Sequence, residues 1–162
     1  MRNYFKFLCC ILFACLMLQA ESVCVAQSDL SVIQKAAEQG DAMAQNRLGL
    51  MYAEGAGVPK NGVKALYWLK KSADQGDLEG QYNLGLAYAR GVSGTRDNVN
   101  SIHWFRKAAE KGFAPAQYVL GMMYGEGLGV PKDEAIAVQW LQKAAAQGNA
   151  DAQMMLGQMR RR

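Results

Sequence analysis

Residues 40–76 read GDAMAQNRLGLMYAEGAGVPKNGVKALYWLKKSADQG, and residues 112–148 read GFAPAQYVLGMMYGEGLGVPKDEAIAVQWLQKAAAQG. The two stretches align without a gap at twice a 36-residue period, and residues 76–112 follow the same register. Columns with one residue in all four copies include Gly40, Gly76, Gly112 and Gly148; Gln45, Gln81, Gln117 and Gln153; Leu48, Leu84, Leu120 and Leu156; and Gly49, Gly85, Gly121 and Gly157. A fixed period of 20 to 50 residues predicts a stack of repeated structural units.

The spacing within one period predicts two helices joined by a short loop. The first helix is expected over about Ala42 to Glu54, because Asp41 can cap its start and Gly55 can end it. The second is expected over about Gly62 to Gln75, with Asn61 at its N-cap position. The predicted fold class is therefore all-α.

The register divides the chain into complete and partial units. Residues 28–39 match a second helix, with Val32 in the column that holds tryptophan elsewhere, and the closing residues match a first helix. An array of about eight helices follows. The predicted segments are a signal peptide over 1–26, a repeat domain over 27–162, a partial helix over 28–39, repeats over 37–72, 73–108 and 109–144, and a partial repeat over 145–162.

The first 26 residues have the pattern of a secretory signal peptide. A basic start is followed by an apolar run over 7–18 and by small residues before a predicted cleavage after Ala26. The run is shorter than the ~20 apolar residues that span a bilayer. Three alternatives stay open: cleavage after Ala20, lipidation of Cys15, and an uncleaved anchor. The expected destination is the periplasm or the exterior, with no stable membrane span after cleavage.

Composition argues against most catalytic and nucleic-acid-binding classes. Residues 27–159 carry 13 Lys and Arg against 13 Asp and Glu, which is not the charge balance of a nucleic-acid binder. His103 is the only histidine, so the sequence argues against a His-based triad and against a zinc site of several histidines. The four cysteines, which all lie in the predicted signal peptide, are Cys9, Cys10, Cys15 and Cys24. We therefore expect a protein that is not an enzyme and uses no metal or cofactor.

The repeated columns resemble the Sel1-like repeat. The shared pattern is Ala-x-x-Gly-x-x-x-Ala-Gln-x-x-Leu-Gly-x-x-Tyr-x-x-Gly-x-Gly-Val-Pro-Lys-(Asn/Asp), followed by Ala-x-x-Trp-(Leu/Phe). It occurs three times over residues 37–143 and begins again over 144–158. The resemblance implies a right-handed α-solenoid related to tetratricopeptide arrays, and non-catalytic work as an adaptor or scaffold, often in exported bacterial proteins. A cysteine-rich branch is linked to β-lactam binding, but these repeats contain no cysteine.

The resemblance also implies that the first helix of each unit lines the concave side of the array. First-helix columns that vary between units are candidates for contact with a protein or peptide partner, and they recur at helical spacing. The candidate residues are Asn46, Leu50, Tyr82, Leu86, Tyr118, Met122 and Met154. The alternative is that these side chains pack between neighbouring first helices. Two alternative functions stay open. One is a protein or enzyme that binds a β-lactam or cell-wall ligand, and the other is a secreted factor directed at a host.

Overall fold

The computed structural model describes residues 29–160, and these residues form eight α-helices and no strand. The helices are α1 (29–38), α2 (Ala42–Glu54), α3 (Gly62–Asp74), α4 (Leu78–Arg90), α5 (Asn98–Glu110), α6 (Ala114–Glu126), α7 (Glu134–Ala146) and α8 (Ala150–Met159). The predicted all-α solenoid is confirmed. The predicted signal peptide lies outside the described residues, as do Arg161 and Arg162.

The helices begin at the cap residues that the sequence predicts. Asp41 accepts a hydrogen bond from the Ala44 backbone N–H at 2.7 Å, and Asn61 accepts one from Lys64 at 3.0 Å. These bonds satisfy amides that have no partner inside the helix. Phe113 is the exception, because it has no side-chain cap bond and Pro in the first turn instead removes one donor.

From α2 onward each helix packs on the next helix along the chain, α2 also contacts α4, and α1 packs on α2 through Ile33 and Ala37 against Leu48. A unit is defined here as one first helix and the second helix that follows it: α2 with α3, α4 with α5, and α6 with α7. Each unit buries its conserved leucine almost completely, since Leu48, Leu84 and Leu120 are at most 1% exposed. The tryptophans differ: Trp104 is buried, whereas Trp68 and Trp140 are half-buried against neighbouring hydrophobic clusters.

The helical glycine column lets the two helices of a unit approach closely. A β-carbon built on Gly49 would lie 2.7 Å from Leu69 Cγ, and one on Gly85 would lie 2.8 Å from the Phe105 ring. Both distances are too short for non-bonded carbons. Glycine in a helix is less stable than alanine by about 1 kcal/mol, but here it allows the two helices to pack closely.

The glutamine column joins each unit to the helix before it. The amide bonds to backbone carbonyls are Gln45 Nε2 to Ala37 O (3.0 Å), Gln81 Nε2 to Ala73 O (3.1 Å), Gln117 Nε2 to Ala109 O (3.1 Å) and Gln153 Nε2 to Ala145 O (3.2 Å). Each of these carbonyl acceptors lies in the last turn of α1, α3, α5 or α7. Carbonyls in the last turn of a helix have no hydrogen-bond partner within that helix.

The same glutamines also accept hydrogen bonds in two of the three units. Gln75 Nε2 donates to Gln45 Oε1 at 2.7 Å, and Gln147 Nε2 donates to Gln117 Oε1 at 2.8 Å. The middle unit has Lys111 in place of this second glutamine. Among the described residues, Gln81 Oε1 is buried without a hydrogen-bond partner.

We expect Gly85→Ala to lower the free energy of unfolding by about 1–3 kcal/mol, because the fully packed Phe105 ring leaves no room for a methyl group. Gly157→Ala is the matched control, since a β-carbon there meets nothing within 4 Å. This control should gain up to about 1 kcal/mol from helix propensity. Thermal denaturation of dilute protein measures both, and equal effects would contradict the close-packing role.

We expect Lys111→Gln to raise the free energy of unfolding by about 0.5–1.5 kcal/mol, because it supplies the missing donor to Gln81 Oε1. The reverse change at the equivalent position, Gln75→Lys, removes the donor to Gln45 and should destabilise by a similar amount. Urea denaturation of both variants tests this pair. A Lys111→Gln protein no more stable than the parent would show that the amide bridge contributes nothing.

Candidate protein-interaction surface

The seven residues predicted as partner contacts lie on α2, α4, α6 and α8, and they are called the first-helix face here. They differ in exposure. Asn46 is buried, and its Oδ1 accepts a hydrogen bond from Asn83 Nδ2 at 2.9 Å across neighbouring first helices. Met154 is 59% exposed. The half-buried members are Leu50, Tyr82, Leu86, Tyr118 and Met122.

Tyr82 packs deeply at the junction of the second and third units. Its ring centroid lies 5.6 Å from those of Phe105 and Phe113, within favourable aromatic pairing distance. Burial raises the pKa of the Tyr82 phenol, and the positive charge of Arg90 partly opposes this shift. Tyr82 is therefore a structural contact between units as well as a member of the first-helix face.

The remaining members divide into packed and free side chains. Leu50, Leu86 and Tyr118 each pack against one of the buried clusters. Met122 and Met154 are not among the hydrophobic side chains packed against any cluster of the described residues. These two methionines are thus the members most available to a partner.

Further exposed residues lie on the same helices. Met43 is 74% exposed near the start of α2, and charged side chains are exposed along α2, α4 and α6. The charged residues are Arg47, Glu54, Glu79, Arg90 and Glu126. Sequence reasoning missed Arg47, and its three-residue spacing from Leu50 is the signal that could have added it. The surface therefore combines an apolar centre with charges of both signs.

The titratable side chains of the described residues do not form a metal-binding cluster. These residues contain no group of three or more His, Cys, Asp or Glu side chains that could hold a metal ion. His103 is exposed and makes an edge-on contact with Trp104, with ring centroids 5.3 Å apart. Asp97 has a pKa below its ordinary value because it accepts hydrogen bonds from Asn100, which is a capping role.

No helix in the described part of the chain is both long enough and apolar enough to cross a membrane.

Comparison with known proteins agrees with the repeat geometry. Residues 33–41, 42–77, 78–113 and 114–149 match the model of the Sel1 repeat. The chain belongs to the Sel1 repeat family. Sel1 repeat proteins are generally protein–protein interaction modules, and the fold is typically a non-enzymatic scaffold. No curated protein matches the chain.

Solved structures include two similar Sel1 repeat arrays. A Sel1 repeat protein from Oxalobacter formigenes is 40% identical, with a TM-score of 0.70, over 80% of this chain and 98% of that one. A protective antigen of uropathogenic Escherichia coli with an SLR fold is 42% identical, with a TM-score of 0.75, over 78% of this chain. This chain spans only 27% of the length of that antigen.

A more distant array shares the fold alone. Cysteine-rich protein B of Helicobacter pylori is 23% identical, with a TM-score of 0.63, over 80% of this chain and 93% of that one. The similarity supports the helical repeat architecture of this Sel1 repeat protein.

We expect Tyr82→Phe to change the pH dependence of stability in the alkaline range. Because burial raises the folded pKa of Tyr82, its contribution to stability is fully present below its ordinary value of 10.0 and is lost as pH rises through the raised pKa. The parent should therefore lose more stability than Tyr82→Phe above pH 10. Urea denaturation of both proteins across this range measures the difference, and parallel curves would contradict it.

Proposed function

We propose that this Sel1 repeat protein is exported and holds a partner protein or peptide on its first-helix face. The observation that carries the proposal is the set of apolar side chains on successive first helices that packing leaves half-exposed. Leu86 and Met122 are half-buried on neighbouring first helices, and Met154 is exposed on the next. Methionine and aromatic side chains are enriched at protein interfaces.

The repeat stack favours binding by presenting this face in one fixed arrangement. In each complete unit, the first helix is held by its glutamine bond to the preceding helix and by close packing on the next. Because the surface is ordered before the partner arrives, association costs little conformational entropy in this protein. The mixed exposed charges of Glu79, Arg90 and Glu126 can orient a partner around the apolar centre.

Export is supported by the sequence of residues 1–26, with its basic start and its apolar run over 7–18. A periplasmic adaptor and a secreted host-directed factor share this biochemistry and differ only in destination. Fractionation of the producing cell into cytoplasm, envelope and medium distinguishes them. Retention of the full-length chain in the cytoplasm would contradict export.

We expect Met122→Glu/Met154→Glu to abolish capture of the partner, because it places two carboxylates in the apolar centre. The control is Val99→Glu, which places a carboxylate at a 78% exposed position on the second helix α5. Crosslinked pull-down from the native envelope fraction, with mass spectrometry of the captured proteins, measures the effect. Circular dichroism verifies that each variant keeps its helices and melting temperature.

A protein captured by the parent and by Val99→Glu but lost with the methionine variant supports the first-helix face. Equal capture by all three proteins would place the interface elsewhere. Tyr82 is unsuitable for this test, because a charge between Phe105 and Phe113 would damage the fold itself.

A further inference from the structure

A pocket of about 400 Å³ lies where the C-terminal ends of α3 and α5 meet the first turn of α4. Its lining includes Gly76 after α3, Gln81 on α4, and Lys107 and Lys111 at the end of α5. Pockets that hold small ligands usually have volumes of roughly 300–1,000 Å³. None of the residues that line this pocket belongs to the first-helix face, so it is a separate place on the molecule.

Gln81 supplies the pocket with a buried hydrogen-bond acceptor. The side chain is 3% exposed, and its Nε2 donates to Ala73 O at 3.1 Å. Its Oε1 has no donor within residues 29–160. An amide oxygen that is buried without a hydrogen bond costs free energy, so a ligand that brings an N–H group to this oxygen is favoured.

In the other two complete units, a primary carboxamide donates to the equivalent oxygen. Gln75 Nε2 lies 2.7 Å from Gln45 Oε1, and Gln147 Nε2 lies 2.8 Å from Gln117 Oε1. The repeat therefore shows twice, within the same chain, which chemical group satisfies this acceptor.

The middle unit keeps the backbone of this bridge and lacks only the carboxamide. Gln75, Lys111 and Gln147 are the C-cap residues of α3, α5 and α7, with φ of −76°, −83° and −90°. The Lys111 side chain is exposed and extends toward Gly76, since a β-carbon built on Gly76 would lie 3.2 Å from Lys111 Nζ. A position that holds the bridging side chain in two units is thus open to a group from outside the chain in the third.

The charges that line the pocket favour a neutral ligand. Lys107 and Lys111 are joined there by Asp74 and Glu110. An anion would meet both carboxylates, and a cation would meet both lysines, so neither charge is selected. A primary carboxamide is neutral and donates through nitrogen, which matches both the lining and the Gln81 oxygen.

We infer that this pocket binds a primary carboxamide, supplied either by free glutamine or by a glutamine side chain of a peptide. The ligand N–H donates to Gln81 Oε1, as Gln75 and Gln147 donate to the equivalent oxygens in their own units. Because Gln81 Oε1 is itself buried, the ligand has to displace a flexible side chain to reach it. Lys111 is that side chain, since it is exposed and stands in the column of the bridging glutamines.

NMR titration of ¹⁵N-labelled protein, purified as the cell produces it, tests the inference. The probes are L-glutamine and N-acetyl-L-glutaminamide, which represents a glutamine within a peptide. We expect saturable shifts of the Gln81 side-chain amide and the Gly76 backbone amide, with a Kd in the millimolar range. Binding of L-glutamine alone identifies a free amino acid as the source, whereas binding of the second probe identifies a peptide side chain.

Lys111→Gln and Lys111→Ala form a matched pair of variants. Lys111→Gln places a tethered carboxamide beside Gln81 Oε1, and its high effective concentration should raise the Kd of the probe at least about tenfold. Lys111→Ala removes the lysine without supplying a donor, so it should bind the probe at least as tightly as the parent does. Thermal denaturation verifies that both variants fold.

Three results would overturn the inference. The first is no saturable binding of either probe to the parent and to Lys111→Ala. The second is equal binding by Lys111→Gln and Lys111→Ala, because recognition would then not depend on Gln81 Oε1. The third is equally tight binding of N-acetyl-L-glutamic acid α-amide, whose ionised carboxylate cannot donate and would have to bind the lysines. None of these results bears on the first-helix face, which the pull-down tests separately.

Discussion

The repeat depends on one side-chain amide that is used in two directions. In the first and third units, the column glutamine donates to a carbonyl at the end of the preceding helix and accepts from the C-cap glutamine of its own second helix. A leucine of similar size could do neither, and a carboxylate could not donate. One residue therefore links three helices and fixes how successive units are positioned.

The glycine column completes this constraint by setting how closely the two helices of a unit approach. Because Gly49 and Gly85 have no side chain, Leu69 and Phe105 can pack directly against the first helix. The leucine before each glycine is then buried, and the remaining sides of the first helix face its neighbours or solvent. The first-helix face is thus what remains after the glutamine and glycine contacts have been made. Asn46 and Tyr82 in this face also make contacts between units, whereas Met154 stays exposed.

The fold could be predicted from sequence because its signals are local and repeated. Asp41 and Asn61 cap the helices as their positions indicate, and the helix limits follow. The exposure of the candidate contact residues could not be predicted in the same way. A side chain in a variable column can be buried by a residue that is itself changed in another column, and the repeat pattern does not reveal such pairs. Tyr82 lies in a variable column, and Phe113 replaces the polar N-cap residue of the other first helices. The two rings pack on each other, so this candidate contact residue serves the packing between units.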